Sequence, residues 1–160
     1  MGVRVPFVPT PLPVARKMLE LAGAGPGDIL YDLGCGDGRI PLLAVKEFNV
    51  DKAICIELRE DLADKAEEEA ERQGLKGRME VRREDMFKAD ISDATIVTLF
   101  LLTSVNNELA PKLRKELRRG TRIVSHEFQI TGWRPLAFAT ISEGHISHNI
   151  YLYVIGYSTR

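Results

Sequence analysis

The sequence has no surplus of either charge: 22 lysines and arginines against 23 aspartates and glutamates leave a formal net charge of -1. A dedicated nucleic-acid binder needs a cationic excess or at least a cationic face to meet phosphates, so no nucleic-acid partner is expected. Long apolar runs are missing as well. The longest, ATIVTLFLL over residues 94–102, falls well short of the roughly 20 residues a bilayer span requires, so no membrane partner is expected either. Cysteine is scarce: Cys35 and Cys55 form no CxxC pair and no multi-cysteine framework, and they read as free thiols in a reducing compartment. No apolar signal core opens the chain, and after Met1-Gly2 a proline, Pro6, stands where a myristoylation motif wants Ser or Thr. These exclusions predict a cytoplasmic protein. Gln and Asn are rare beside Lys, Arg and Glu, a composition that leans toward heat adaptation.

What is present suits one domain with one core: 160 residues, 44% of them hydrophobic and 28% charged. Four prolines crowd VPFVPTPLP, residues 5–13, and a stretch so short of backbone donors is neither a helix nor a central strand. It reads as an N-terminal arm over residues 1–13, followed by a short preface helix over 14–22. Apolar strands then alternate with amphipathic helices, with strands expected at 28–33, 52–58, 79–83, 94–101 and 121–128. Val105, Leu109, Leu113 and Leu117 stripe one helix that Pro111 is expected to kink or restart, and Asn106 and Asn107 are expected to cap it. Residues 136–141 and 149–157 are separated only by SEGHISH, too short for a parallel crossover, so they should pair as an antiparallel hairpin. The fold class that results is α/β, a doubly wound, Rossmann-like, mostly parallel sheet that ends in a hairpin.

The chemistry is concentrated in YDLGCGDGR, residues 31–39, where Gly34, Gly36 and Gly38 follow a strand and open a helix. Such a turn lets a ligand approach the backbone and meet unpaired N–H groups at the helix start. A dinucleotide fingerprint needs glycine at position 39, where this chain has Arg39, which argues against NAD. Asp32, just before the turn, suits an ammonium group, and Glu57 at the end of the second strand suits both hydroxyls of a ribose. Asp85 and Met86 after the third strand suit an adenine's amino group and face. Cys35 and Asp37 within the turn and Leu58 beside Glu57 complete the candidate cofactor site. An ammonium, a ribose and an adenine without pyrophosphate describe S-adenosyl-L-methionine.

With these motifs in order, the chain resembles the class I, seven-stranded methyltransferases. VPFVPTP, DLGCGDGRI, TLFLLTSVN, PKLRKEL, GTRIVSHEF and YLYVIG together extend the likeness over nearly the whole chain, to the small archaeal protein-lysine methyltransferases. More distantly it is similar to the lysine methyltransferase of the ATP synthase c subunit and to the non-SET enzyme acting on nucleosomal lysine. The resemblance implies methyl transfer to lysine ε-amines with broad choice among protein substrates presenting exposed lysines.

Enzymes that methylate planar amino groups often carry Asn-Pro-Pro-aromatic after the fourth strand, and here Leu99 stands in the Asn position, followed by Phe100 and Leu101. An apolar tip suits a lysine, whose neutral amine desolvation favours. Backbone carbonyls over Thr98, Leu99 and Phe100 are candidates to aim its lone pair, and Glu127 at the end of the fifth strand is a candidate to attract the cation. Phe7 and the arm prolines are candidates for a cover over cofactor and lysine channel, or else a seal on an apolar flank. His145 and His148, assigned to the hairpin loop, lack partners at metal-ligand spacing, so no metal site is expected. The six cations over residues 112–122 belong on the sheet edge opposite the active site. A monomer is expected. A methyltransferase acting on nucleic acid or a small molecule, and a module that holds cofactor or partner without chemistry, are the alternative readings.

Overall fold

A computed structural model describes residues 7–159, so the first six residues of the arm lie outside the described residues. The elements are α1 (Leu12–Ala22), β1 (Ile29–Leu33), α2 (Arg39–Phe48), β2 (Lys52–Ile56), α3 (Glu60–Arg72) and β3 (Met79–Arg82). They continue with β4 (Ile96–Leu99), α4 (Thr103–Glu116), β5 (Arg122–His126), β6 (Ala137–Glu143) and β7 (Ile146–Val154). One seven-stranded sheet has the order β3-β2-β1-β4-β5-β7-β6, parallel except for β7, which runs antiparallel to both its neighbours. The expected α/β sheet ending in a hairpin is present.

Strand alternation decides which helix each face receives. On one face Leu30, Ala53, Ile96 and Val124 meet Val14, Met18, Leu19 of α1 and Ile40, Leu43, Ala44 of α2, all buried. Next to them Cys55 and Met79 pack on Ala66 and Ala70 of α3, whose small residues let the helix approach the sheet closely. The opposite face carries Tyr31, Leu33, Ile54, Val97, Leu99 and Ile123 beneath Leu109, Leu113 and Leu117 of the α4 stripe. Truncating any one of these fully buried leucines to alanine removes a side chain from a close-packed layer, at a cost of roughly 2–5 kcal/mol.

The strand order reverses between β1 and β4: connections before that point run outward toward β3, and those after it run toward β5. In open parallel sheets ligands settle outside the carboxyl ends of the strands at that point. The opposite, amino-end edge is tied structurally. Arg122 at the start of β5 pairs with Asp28 and donates to the Ala22 carbonyl at 2.7 Å, while Asp28 also accepts from Thr95 Oγ1 at 2.7 Å. The remaining cations of that cluster are largely engaged: Lys112 with Glu116 and the Ala89 carbonyl, Arg114 over Trp133, Arg119 over Tyr157.

The structure corrects four expectations. Cys35 and Cys55 are not free thiols but a disulfide, with Cα atoms 5.3 Å apart. Cys55 lies in register with Asp32, and the glycine turn folds back along β2, which brings position 35 over it. The hairpin is longer than expected: most of SEGHISH is strand, Ser142 pairs with Ser147 and Glu143 with Ile146, and Gly144 makes the turn at φ 63°. His148 therefore belongs to β7, not to a loop. Asn106 and Asn107 do not cap α4, whose N-cap position is Leu102. Asn106 is instead fully buried and donates to Ser125 Oγ and to the carbonyls of Phe128 and Gln129, and Asn107 bonds Thr131. Finally, the helix does not restart at Pro111, which lies inside α4.

Candidate active site

The site begins at the end of β1. Asp32 is 4% exposed, and burial is the main reason its carboxyl is pushed up to about 7. The carboxylates of Glu57 and Asp37 add to that rise, and Thr98, opposite Asp32 in the β1–β4 register, works against it. A buried acid held this far above its ordinary range lacks a cationic partner, which is what a ligand ammonium supplies.

The turn that follows is built by its glycines. Gly34 and Cys35 both donate to the Ile56 carbonyl, at 2.9 and 3.1 Å, so the turn continues beside β2. Gly36 has φ 59°, and its N–H donates to Glu57 Oε1 at 2.8 Å. Any Cβ there would lie 2.3 Å from Phe7 Cε1, so the arm's aromatic ring rests directly on the glycine turn. Gly38 has φ 83° and stands at the N-cap position of α2. A Cβ on it would strike Ala66 Cβ at 2.9 Å and Met79 Cε at 2.8 Å, so this glycine is needed for helix packing rather than for ligand approach. Glu57 is held by two backbone donors, Gly36 through Oε1 and Arg59 through Oε2 at 3.0 Å, which fix the carboxylate at the sheet edge.

These groups line a cavity of about 470 Å³, within the range of small-molecule sites. Of the candidate residues, Phe7, Asp32, Gly34, Cys35, Gly36, Asp37, Glu57, Met86 and Phe100 all line it. Six other candidates do not line it. Gly38 is spent on packing. Leu58 is 61% exposed outside the cavity. Asp85 uses Oδ1 to accept from the Phe87 N–H at 2.9 Å, closing the turn that presents Met86. Thr98 and Leu99 are fully buried, backbone included. Glu127 stands to one side at φ 70°, with its Oε1 accepting from Asn149 Nδ2 at 3.2 Å.

Other lining residues were missed from the sequence. Arg39, read only as the residue that breaks a dinucleotide pattern, donates to Asp37 and to the Thr10 carbonyl. Leu101, Leu102, Val105 and Phe128 form, with Phe100, an apolar end to the cavity, and Phe128 lies 6.2 Å from Phe100 between ring centroids. Their signal was present as an aromatic after each of β4 and β5, the two strands that end beside the crevice. The sequence alone places His126 only within the fifth strand, without a role. It is 1% exposed, lies 4.0 Å from the Phe100 ring, and has Nε2 2.9 Å from His148 Nδ1. Burial, with the neighbouring His148, holds it well below the usual histidine range, at about 4. His126, Glu127 and His148 bring ligand-type atoms within 4.8 Å of one another, a juxtaposition that placing His148 in a loop had hidden.

A sheet of this order with its penultimate strand in space antiparallel, a glycine turn at the reversal point and an acid ending the second strand define a class I methyltransferase. Residues 32–137 match the ANTKMT methyltransferase domain, and the chain belongs to that family. It is 51% identical over 152 residues to a protein-lysine N-methyltransferase of Saccharolobus islandicus, covering 95% of this chain and 94% of that one. It is 34% identical to the mouse adenine nucleotide translocase lysine N-methyltransferase, across 90% of this chain but only 61% of the longer relative. Among solved structures, an RNA methyltransferase from Salinibacter ruber in complex with S-adenosyl-L-homocysteine superposes with a TM-score of 0.85. That protein is 43% identical, with 92% of this chain and 94% of that chain covered.

Proposed function

We propose that this protein transfers methyl groups from S-adenosyl-L-methionine to lysine ε-amines of protein substrates. The observation that carries the reading is a cavity lined both by the unpaired acid Asp32 and by Phe100, Leu101, Leu102 and Phe128, in a chain half identical along its length to a protein-lysine methyltransferase. The cofactor fits the residues present. Asp32 supplies the missing partner for an ammonium, Glu57 faces where a ribose would lie, and Met86 offers a surface for an adenine, while Gly36 lets the Phe7 ring close over the turn. When bound, the cofactor supplies an electrophilic methyl group on a positively charged sulfur.

The chain's own residues handle the acceptor. Phe100, Leu101, Leu102 and Phe128 surround the lysine methylenes and exclude water, which favours the neutral amine that attack requires. A lysine held there would present a neutral amine to the methyl group that the bound cofactor would supply, its ammonium proton being lost to solvent before it enters the apolar end. Of Thr98, Leu99 and Phe100 only Phe100 lines the cavity, and its carbonyl orients the nitrogen. Glu127, fixed by Asn149, draws the lysine cation toward the mouth. Phe7 covers the cofactor from the arm.

The test is incubation with radiolabelled S-adenosyl-L-methionine and mixed cellular protein, followed by mapping of the modified residue by mass spectrometry. Label on lysine, abolished by Gly36→Arg, is the expected result. RNA is the second reading, favoured by the likeness to the Salinibacter ruber RNA methyltransferase. Against it, the basic cluster lies on the edge away from the cavity and is largely committed to internal partners. Label confined to a parallel RNA sample would overturn the lysine assignment.

A further inference from the structure

The arm meets the domain at one buried point. Thr10 is only 4% exposed, although the three residues before it are all open to solvent. Its hydroxyl lies 3.1 Å from His126 Nδ1, and its carbonyl accepts from Arg39 Nη1 at 3.3 Å. Three residues earlier in the chain, Phe7 rests on Gly36. The position of the cover is thus set where Thr10 is held.

His126 has a second neighbour on its other side. Its ring lies 4.0 Å from the Phe100 ring at an interplanar angle of 33°, and Phe100 in turn faces Phe128 at the apolar end of the cavity. The remaining ring nitrogen of His126 is 2.9 Å from His148 Nδ1 on β7, so the imidazole is braced by the neighbouring strand and cannot turn freely. One fully buried ring therefore touches both the segment that covers the cofactor and the residue that walls the acceptor.

We infer that His126 is a positioning residue that registers the N-terminal arm against the acceptor wall, with Thr10 as its contact on the arm and His148 as its brace. It touches neither cofactor nor acceptor and acts through Thr10 and Phe100. The inference rests on the methyltransferase reading of the cavity and adds the device that keeps its two halves aligned. A buried hydrogen bond contributes enough to stability that its loss should release the arm for a measurable fraction of the time.

The two contacts separate by substitution. His126→Phe keeps a ring against Phe100 but cannot bond Thr10 or His148, whereas His126→Asn keeps an amide for Thr10 and loses the ring. Thr10→Val keeps shape and removes the hydroxyl. Cofactor affinity by isothermal titration should fall about 5- to 10-fold in Thr10→Val and in His126→Phe. The double variant should be no weaker than either single by more than about 2-fold, because both remove the same bond. His126→Asn should retain cofactor affinity better than His126→Phe yet lose more kcat at saturating cofactor.

Additive losses in the double variant, or unchanged affinity in Thr10→Val, would overturn the inference. Should His126→Phe fail to fold, as read from its thermal melt, Thr10→Val alone decides. The titration needs no acceptor, so a failure of the lysine assignment would leave the coupling between Thr10 and His126 intact and is distinguishable from a failure of this one.

Discussion

Replacing Asp32 with asparagine should make the empty protein more stable and the enzyme useless. The Asp32 carboxyl titrates near 7 in the fold instead of near 3.8, and burial is the chief cause. Because the folded state holds that proton more tightly than the unfolded chain does, ionisation opposes folding. The cost is absent below about pH 4, grows between pH 4 and 7, and is complete above 7. At 1.36 kcal/mol for each tenfold change in proton affinity, it is on the order of 4 kcal/mol when complete. The asparagine side chain has nearly the same shape and no charge to desolvate. For a chain of this length, ~2–4 °C accompanies each kcal/mol, so the melting temperature of the cofactor-free Asp32→Asn variant should exceed wild type by on the order of 10 °C at pH 8. At pH 4 and below the two should nearly coincide. Titration calorimetry should show cofactor affinity falling about 10- to 100-fold in the variant, the loss expected of a charged hydrogen bond. In wild type near pH 7, binding should release a proton, seen as a dependence of the heat on the buffer used. Melting curves for the two proteins that run parallel from pH 5 to pH 8 would refute the reasoning.

Three further outcomes follow from the same geometry. Gly38→Ala places a Cβ against Ala66 and Met79 at φ 83°, so it should cost roughly 1–3 kcal/mol of stability by denaturant titration while Gly74→Ala, with open space around it, costs less. Cys55→Ser removes a bridge whose ends are 20 residues apart, worth about 3 kcal/mol by loop-closure entropy, and should lower the melting temperature under non-reducing conditions but match wild type after full reduction. Phe7→Ala uncovers the glycine turn and should raise the cofactor dissociation constant about 3- to 10-fold with the thermal melt little changed; unchanged affinity would remove Phe7 from the cover.

The glycine turn, Asp32 and Glu57 were legible in the sequence because their roles are local: a turn, the residue before it and the end of a strand. What was hidden depends on register. Cys35 and Cys55 meet only because β1 and β2 pair with Asp32 opposite Cys55, and no spacing rule in one sequence gives that alignment. His126 and His148 meet only because β7 enters antiparallel beside β5. SEGHISH read as a loop because its residues stand clear of the layers that cover the rest of the sheet, so both faces are polar and no alternation marks a strand. Asn106 read as a cap because it sits near a helix start, whereas its amide is used to hold the chain after β5. Thr98 and Leu99 end β4, but strand pairing on both sides buries them wholly, and neither lines the cavity.

The length of the hairpin also bears on what can reach the cavity. The last β5 residue to pair with β7 is His126, opposite Ile150, yet β6 and β7 continue as partners from Thr140 and Asn149 out to Glu143 and Ile146. Four rungs of ladder thus rise beyond the sheet, about 13 Å of two-stranded ribbon. The ribbon makes the approach lopsided, high beside β5 and low beside β2 and α3. A folded partner with a flat surface would strike the ribbon before its lysine arrived, whereas a lysine on a protruding loop or a frayed terminus could slide in from the low side. Substrate choice would then follow the protrusion of a lysine more closely than the residues on either side of it.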